Sequence, residues 1–277
     1  MEESNRGILL YANNNSKCNY VKQAYALALS IKIKNANEKV ALLTSGDVEH
    51  DSVFDHIIKV PVNSNISHLH AESRANMYQL SPFNETIVMD VDMLVTHSLE
   101  QYWNYLKRYS LFFTTNVKTF RGENINDTVY RKTFIENNLP NVYNAFYYFK
   151  KDRIAYDFFN LQQTILADWK EYYRKFAPKR TQKWPSMDVT SAIALKIMGI
   201  EDQTTDKKND TITFVHLKTR IQNFLKSPNS IAEMFNQTID LKGNVFIGNF
   251  RQANIVHYVE DNLLTDRNIK VLEELYA

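Results

Sequence analysis

Apolar and polar positions along the first half of the chain switch between two periods. The run GILLYA (7–12) is almost continuously apolar, the pattern of a strand covered on both faces. From Asn19 to about Lys34 the period changes, and Val21, Ala24, Ala28 and Ile31 fall on one helical face. KVALLTS (39–45) is the next strand, and HIIKVPV (56–62) is a shorter one ending at Pro61. SHLHAESRANMYQL (67–80) reads as a helix, followed by the turn SPFN (81–84) and a strand opened by Thr86, Ile87 and Val88. SLEQYWNYLKR (98–108) reads as a helix with Ser98 and Gln101 in capping-box spacing, and SLFFTTNV (110–117) as a strand. Strands alternating with helices predict an α/β fold with a mostly parallel central sheet flanked by helices.

The second half is less regular. Residues 118–140 show no clear period and read as an irregular excursion over the sheet. NVYNAFYYFKK (141–151) is strand-like, the aromatic-rich 152–176 helical, and SMDVTSAIALKIMG (186–199) a helix that stops at Gly199. TITFVHLK (211–218), NVFIGNF (244–250) and NIVHYV (254–259) read as strands, and a terminal helix runs from about Asp261 to Tyr276. No internal repeat, low-complexity tract or linker interrupts the pattern, so one compact unit over 1–277 is expected.

One place breaks the rule that apolar runs stay apolar. ETIVMDVDMLV (85–95) carries Asp90 and Asp92 inside an oily stretch, and carboxylates are among the residues least often buried. In a strand, positions i and i+2 share a face, so the two acids point together at the C-terminal end of a parallel strand. Open α/β sheets bind ligands at that end. Convergent carboxylates suit a hard divalent cation, Mn²⁺ or Mg²⁺, which also coordinates phosphate oxygens. The competing account is a solvated strand end, but such an end does not normally resume with MLV. Among the seven histidines, His216 and His257 both end late strands and are candidates for a third ligand.

Composition narrows the class. Hydrophobic residues make up 44% of the 277 positions and charged residues 23%, values of a globular protein. No stretch approaches the roughly 18 apolar residues of a membrane helix. The segment MEESNRGILLYANNN lacks the basic and long apolar regions of an export signal, so a cytoplasmic protein with no membrane partner is expected. Cys18 is the sole cysteine, which excludes an intramolecular disulfide and a cysteine-based zinc site. The sequence contains no G-x-S-x-G, Walker A or G-x-G-x-x-G motif, and six glycines are too few for a glycine-rich phosphate loop.

RANMYQLSPFNETIVMDVDMLV resembles the donor-site region of GT-A glycosyltransferases, most closely the family-eight group of retaining enzymes. There, a helix bearing an arginine precedes a strand ending in D-x-D. NVYNAFYYFKKDRIAYDFF (141–159) is similar to that group's N-[SA]-G-x-x-x-[FY] strand, with Asn144 matching and Ala145-Phe146 replacing the small pair. PSMDVTSA (185–192) resembles its Asp-Gln segment, with Asp188 matching and Val189 in place of the glutamine. FVHLKTRIQNF (214–224) resembles H-x-x-G-x-x-K-P-W in spacing only: His216 and Phe224 fit, Thr219 and Gln222 do not. This spacing ranks His216 ahead of His257 as the third ligand.

The resemblance implies a GT-A fold with a nucleotide-sugar donor half (1–117) and an acceptor half with C-terminal elements (118–277). It implies a nucleoside-diphosphate sugar, with a UDP-linked pentose or hexose expected, and a metal held by Asp92, Asp90 and a histidine. Arg74 is expected at the diphosphate or at a site carboxylate, Tyr11, Ala12 and Asn13 at the base or ribose, and Asp188 and Asn144 in the catalytic centre. Retention of anomeric configuration follows from the resemblance alone.

The chain is also similar to DNA-modifying glycosyltransferases of tailed phages. Its charge is uneven: residues 168–185 carry net +4 in a chain whose total is +2. Lys170, Arg174, Lys175, Lys179, Arg180 and Lys183 are interleaved there with Trp169, Tyr172, Tyr173, Phe176 and Trp184. Cations hold phosphates and aromatic rings stack on exposed bases, so the expected acceptor is a hydroxymethylated pyrimidine in DNA. The plainer account makes those aromatics core and those cations solvated. A glycan or lipopolysaccharide acceptor is the alternative, although the tail EDNLLTDRNIKVLEELYA is acidic rather than membrane-seeking. An inactive sugar-nucleotide-binding or DNA-binding relative is a further alternative, against which the retained acidic pair argues.

Overall fold

The computed structural model describes residues 5–60, 74–125, 131–180, 182–205, 211–217, 235–258 and 263–277. Four strands, β1 (Arg6–Tyr11), β2 (Val40–Thr44), β3 (His56–Lys59) and β4 (Glu85–Met89), lie parallel in the order β3-β2-β1-β4. The sheet is completed by β6 (Leu111–Thr114) and β8 (Tyr143–Lys150), with β8 antiparallel between β4 and β6. The expected mostly parallel sheet is therefore present, with one reversed strand. Sequence period gives β8 its strand character but not its direction.

The apolar runs are apolar because both faces of this sheet are covered. Ile8, Leu10, Leu42, Ile87 and Tyr148 face one core, and Leu9, Ala41, Leu43, Val88 and Tyr147 face the other. The first core takes α1 (Tyr20–Lys34), α3 (Glu100–Leu106) and the C-terminal α8 (Asp266–Tyr276). The second takes the short α2 (Met77–Leu80), α5 (Arg153–Ala167), α6 (Trp169–Phe176) and α7 (Met187–Met198). Two helices stand where one was expected over 152–176, because the chain breaks at Asp168. The excursion 118–140 contains a short helix, α4 (Lys132–Glu136). Of the helix expected over 67–80, residues 67–73 lie outside the described residues.

Of the expected helix start and stop signals, one forms and one is replaced. Gly199 ends α7 in the left-handed conformation, φ 65°, as its position demands. The Ser98–Gln101 box does not form; α3 starts at Glu100. Instead Asn35, the residue capping the end of α1, accepts the Leu99 N–H at 2.8 Å and the Ser98 hydroxyl at 3.2 Å.

A second sheet lies beside the first in the order β5-β13-β9-β7, formed by β5 (Met93–Leu94), β7 (Val117–Lys118), β9 (Phe214–His216) and β13 (Ile255–His257). A meander of β10 (Gln237–Ile239), β11 (Val245–Ile247) and β12 (Phe250–Arg251) makes a third; β10 was not expected from the sequence. The chain passes from the large sheet to the second between β4 and β5, and the acidic pair lies in that passage.

Candidate functional site

Asp90 and Asp92 do not lie within a strand. The ladder of β4 ends at Met89, and Asp90-Val91-Asp92 form the bend leading to β5. The Asp90 N–H still donates to Ala145 O of β8 at 2.9 Å, which fixes the bend to the large sheet. Val91 is buried beneath it, the apolar anchor that lets both carboxylates face one cleft. On the far side, Met93 of β5 is the antiparallel partner of His257 in β13, and Tyr258 N–H donates to Asp92 O at 3.0 Å. Register, rather than alternation along one strand, therefore brings the third residue in.

Ligand-capable atoms of Asp90, Asp92 and His257 all lie within 4.8 Å of one another. Nε2 of His257 is 3.1 Å from an Asp92 oxygen, and the Arg74 guanidinium forms an ion pair with Asp90. Burial pushes the Asp92 carboxyl up, but the charge and hydrogen bond of His257, a backbone hydrogen bond and the charge of Arg74 outweigh it. The net direction is down, so Asp92 stays ionised. Nδ1 of His257 is buried with no hydrogen-bond partner among the described residues. Two carboxylates and one imidazole are a donor set that fits Mn²⁺, with Mg²⁺ as the harder alternative.

His216, ranked ahead on spacing, is not in the cluster. It is the parallel partner of His257, and its ring stacks on the His257 ring at 4.6 Å and 14°. The motif spacing counts along β9, whereas β13 is the strand that pairs with β5. Thr219, Gln222 and Phe224 lie outside the described residues.

A cleft of about 240 Å³ opens over the carboxylates, lined by Tyr11, Asn13, Tyr20, Arg74, Asp90, Val91 and Asp92. Four expected binding residues, Tyr11, Asn13, Arg74 and Asp90, line it together. Ala12 does not: its side chain is fully buried, and its N–H donates to Leu43 O in extension of the ladder. Alternation explains this, since Tyr11 and Asn13 share a face that Ala12 lacks. Asn13 donates to the Tyr11 hydroxyl at 2.7 Å and accepts from Ser45 N–H at 2.7 Å and Ser45 Oγ at 2.8 Å, so the ends of β1 and β2 are held together. Tyr20 was missed. Its signal was its place at the first turn of α1, the end that faces the strand termini.

Asp188 and Asn144 meet on the other flank of β8. One Asp188 oxygen accepts Asn144 N–H at 2.8 Å, and the other accepts from Arg131 at 2.6 Å. Asn144 Oδ1 accepts Ser191 Oγ–H at 3.0 Å, and Ser191 in turn accepts from Gln162 at 2.7 Å. Arg131 was missed because it sits in the stretch without a period.

The basic segment is divided. Lys170, Arg174, Lys175, Lys179, Arg180 and Lys183 are all exposed. Arg174 is held by Glu171 and Arg180 by Glu136, whereas the four lysines form no ion pair among the described residues. Most of the interleaved aromatics are not available for stacking. Tyr173 is fully buried and Trp169, Tyr172 and Phe176 pack against the second core, which leaves Trp184, 55% exposed. Helical period accounts for it: 169, 172, 173 and 176 are one face of α6. Among the described residues no helix is long and apolar enough to cross a membrane.

No protein-family profile matches the chain, and no curated protein matches it in sequence. Solved structures do resemble it. The galactosyltransferase LgtC, in complex with donor and acceptor sugar analogues, superposes with TM-score 0.57 at 14% identity, over 98% of this chain and 96% of LgtC. The bifunctional glycosyltransferase WbbM gives TM-score 0.54 at 12% identity, over 99% of this chain and 50% of WbbM. The apo form of the glycosyltransferase GlyE from Streptococcus pneumoniae TIGR4 gives 0.51 at 13% identity, over 99% and 60%. The chain thus spans nearly all of LgtC but half of WbbM. At these identities the likeness is one of architecture: this chain has the GT-A fold of those glycosyltransferases.

Proposed function

We propose that the protein is a metal-dependent glycosyltransferase that draws on a nucleoside-diphosphate sugar. The observation carrying this reading is the Asp90–Asp92–His257 cluster, whose two carboxylates line a cleft at the strand ends where α/β folds bind nucleotides. The reaction breaks the anomeric C–O bond and passes the sugar to an acceptor hydroxyl, while negative charge builds on the leaving diphosphate. Asp90, Asp92 and His257 are the residues to hold a divalent cation, which when bound supplies Lewis-acid neutralisation of that charge. Arg74 fixes the Asp90 carboxylate and adds positive charge beside the diphosphate. Tyr11 and Tyr20 wall the cleft for the nucleoside, with Asn13 bracing Tyr11. Retention of configuration is carried over from the family resemblance; proton NMR of the first-formed product anomer reads it directly.

Calorimetric titration of UDP in the presence and absence of Mn²⁺, with hydrolysis of a UDP-sugar panel, tests the donor half. Wild-type protein is expected to bind UDP with Mn²⁺ and far more weakly without it. Asp92→Ala is expected to lose at least about 100-fold in hydrolysis, the scale of one transition-state charge contact. Unchanged hydrolysis in that variant would remove the cluster from the mechanism.

For the acceptor, the reading we favour is a hydroxymethylated pyrimidine in DNA. It is supported by the exposed lysines of 170–183 and by Trp184 at their edge. Hydroxymethylcytosine duplex incubated with the sugar panel and analysed by nucleoside mass spectrometry decides it. A nucleoside heavier by one sugar is expected; none with any donor would favour a glycan acceptor.

A further inference from the structure

We infer that Arg131 is a positioning residue, fixing Asp188 and Asn144 relative to the acidic pair through β8; this rests on the glycosyltransferase reading above. The Arg131 side chain is only 4% exposed. Its guanidinium lies between two rings, 4.1 Å from the centroid of Phe134 and 3.8 Å from that of Tyr143. Nε donates to Asn141 Oδ1 at 2.6 Å, Nη1 to Asp188 Oδ2 at 2.6 Å, and Nη2 to Val142 O. A cation buried this far is costly unless it is paired, and here each nitrogen of the planar group donates.

The pairing continues along β8 towards the acidic pair. Asp188 holds Asn144 N–H at 2.8 Å, and Asn144 is fixed from behind by Ser191 and Gln162. The next residue of β8, Ala145, accepts the N–H of Asp90 at 2.9 Å. One strand therefore registers Asp188, at the start of α7, against the acidic pair, and Arg131 locks that register from the side of α4. Two oxygens already accepting from a guanidinium and an amide make Asp188 a fixed anchor rather than an uncommitted base. Arg131 acts through it, since a small misplacement of groups around a reacting centre costs up to about 100-fold in rate.

The test compares Arg131→Lys with the double variant Arg131→Met/Asp188→Asn, which removes both charges so that neither is stranded. Lysine keeps the charge but cannot reach three acceptors at once. UDP affinity with Mn²⁺ is read by calorimetry, and kcat and KM on whichever UDP-sugar the wild type hydrolyses fastest. Both variants are expected to bind Mn²⁺–UDP within about 2-fold of wild type while kcat drops about 10- to 100-fold. A role confined to stability would lower the melting temperature and leave the kcat of the folded fraction alone. Wild-type kcat in either variant, or equal losses in UDP binding and kcat, overturns the inference. If the wild type shows neither Mn²⁺-dependent UDP binding nor hydrolysis of any sugar nucleotide, the glycosyltransferase reading falls and takes this one with it.

Discussion

Individual side chains at the site divide labour in ways that substitutions can separate. His257 reaches the acidic pair, whereas the His216 ring stacks on that of His257 and lies outside the cluster, so the two should behave differently. His257→Ala is expected to weaken Mn²⁺ affinity about 10- to 100-fold, and His216→Ala less, as measured by titration. Equal losses would place both imidazoles on the cation. Glu38 offers a different reading, far from the cleft. Its carboxylate is buried and accepts the Trp103 indole N–H at 2.8 Å. Burial raises its pKa, and the Trp103 hydrogen bond and the charges of Arg6 and Lys32 only partly offset that. With a raised folded-state pKa, stability falls as pH climbs from the ordinary glutamate range through the folded value, and the cost persists above it. Glu38→Gln keeps an acceptor for Trp103 and removes the titration. Its melting temperature should therefore exceed wild type at neutral pH, with the gap closing in acid. A constant gap at all pH values would assign the effect to packing instead.

At the scale of elements, interaction partners distant in sequence replaced several local signals. Asn35 ends one helix and caps the next, so Asn35→Ala should cost about 1 kcal/mol in denaturant unfolding, whereas Gln101→Ala should cost almost nothing. Gly7 faces the Phe83 ring where a methyl group would collide, and Gly7→Ala should cost about 1–3 kcal/mol. The strands β1, β2 and β4 were legible because burial on both faces leaves an apolar run with no other reading. The direction of β8 was not, since an antiparallel and a parallel strand between two covered faces have the same composition. The acidic pair could be read because carboxylates interrupting an apolar run are conspicuous. Arg131 could not, because its partners Asn141, Val142 and Asp188 become neighbours only when three separate elements have docked.

Across the whole molecule, the cleft and the cationic surface are carried by different structures. The cleft lies at the ends of β1 and β4, whereas the exposed lysines lie on and after α6. Substituting Arg180 would break its pair with Glu136, and Lys179 N–H and carbonyl hydrogen-bond the Asn137 side chain. The cleaner perturbation is Lys170→Glu, Lys175→Glu and Lys183→Glu together. It should lower duplex affinity and flatten its salt dependence by about three phosphate contacts, with UDP-sugar hydrolysis unchanged. Loss of hydrolysis as well would mean that the surface supports the cleft. Finally, the bend between β4 and β5 places two candidate ligands at a seam between sheets, and His257 enters from a strand near the end of the sequence. During synthesis the carboxylates leave the ribosome long before the imidazole does. A pocket holding all three candidate ligands is thus a late event, and chains released early carry the acids without the imidazole.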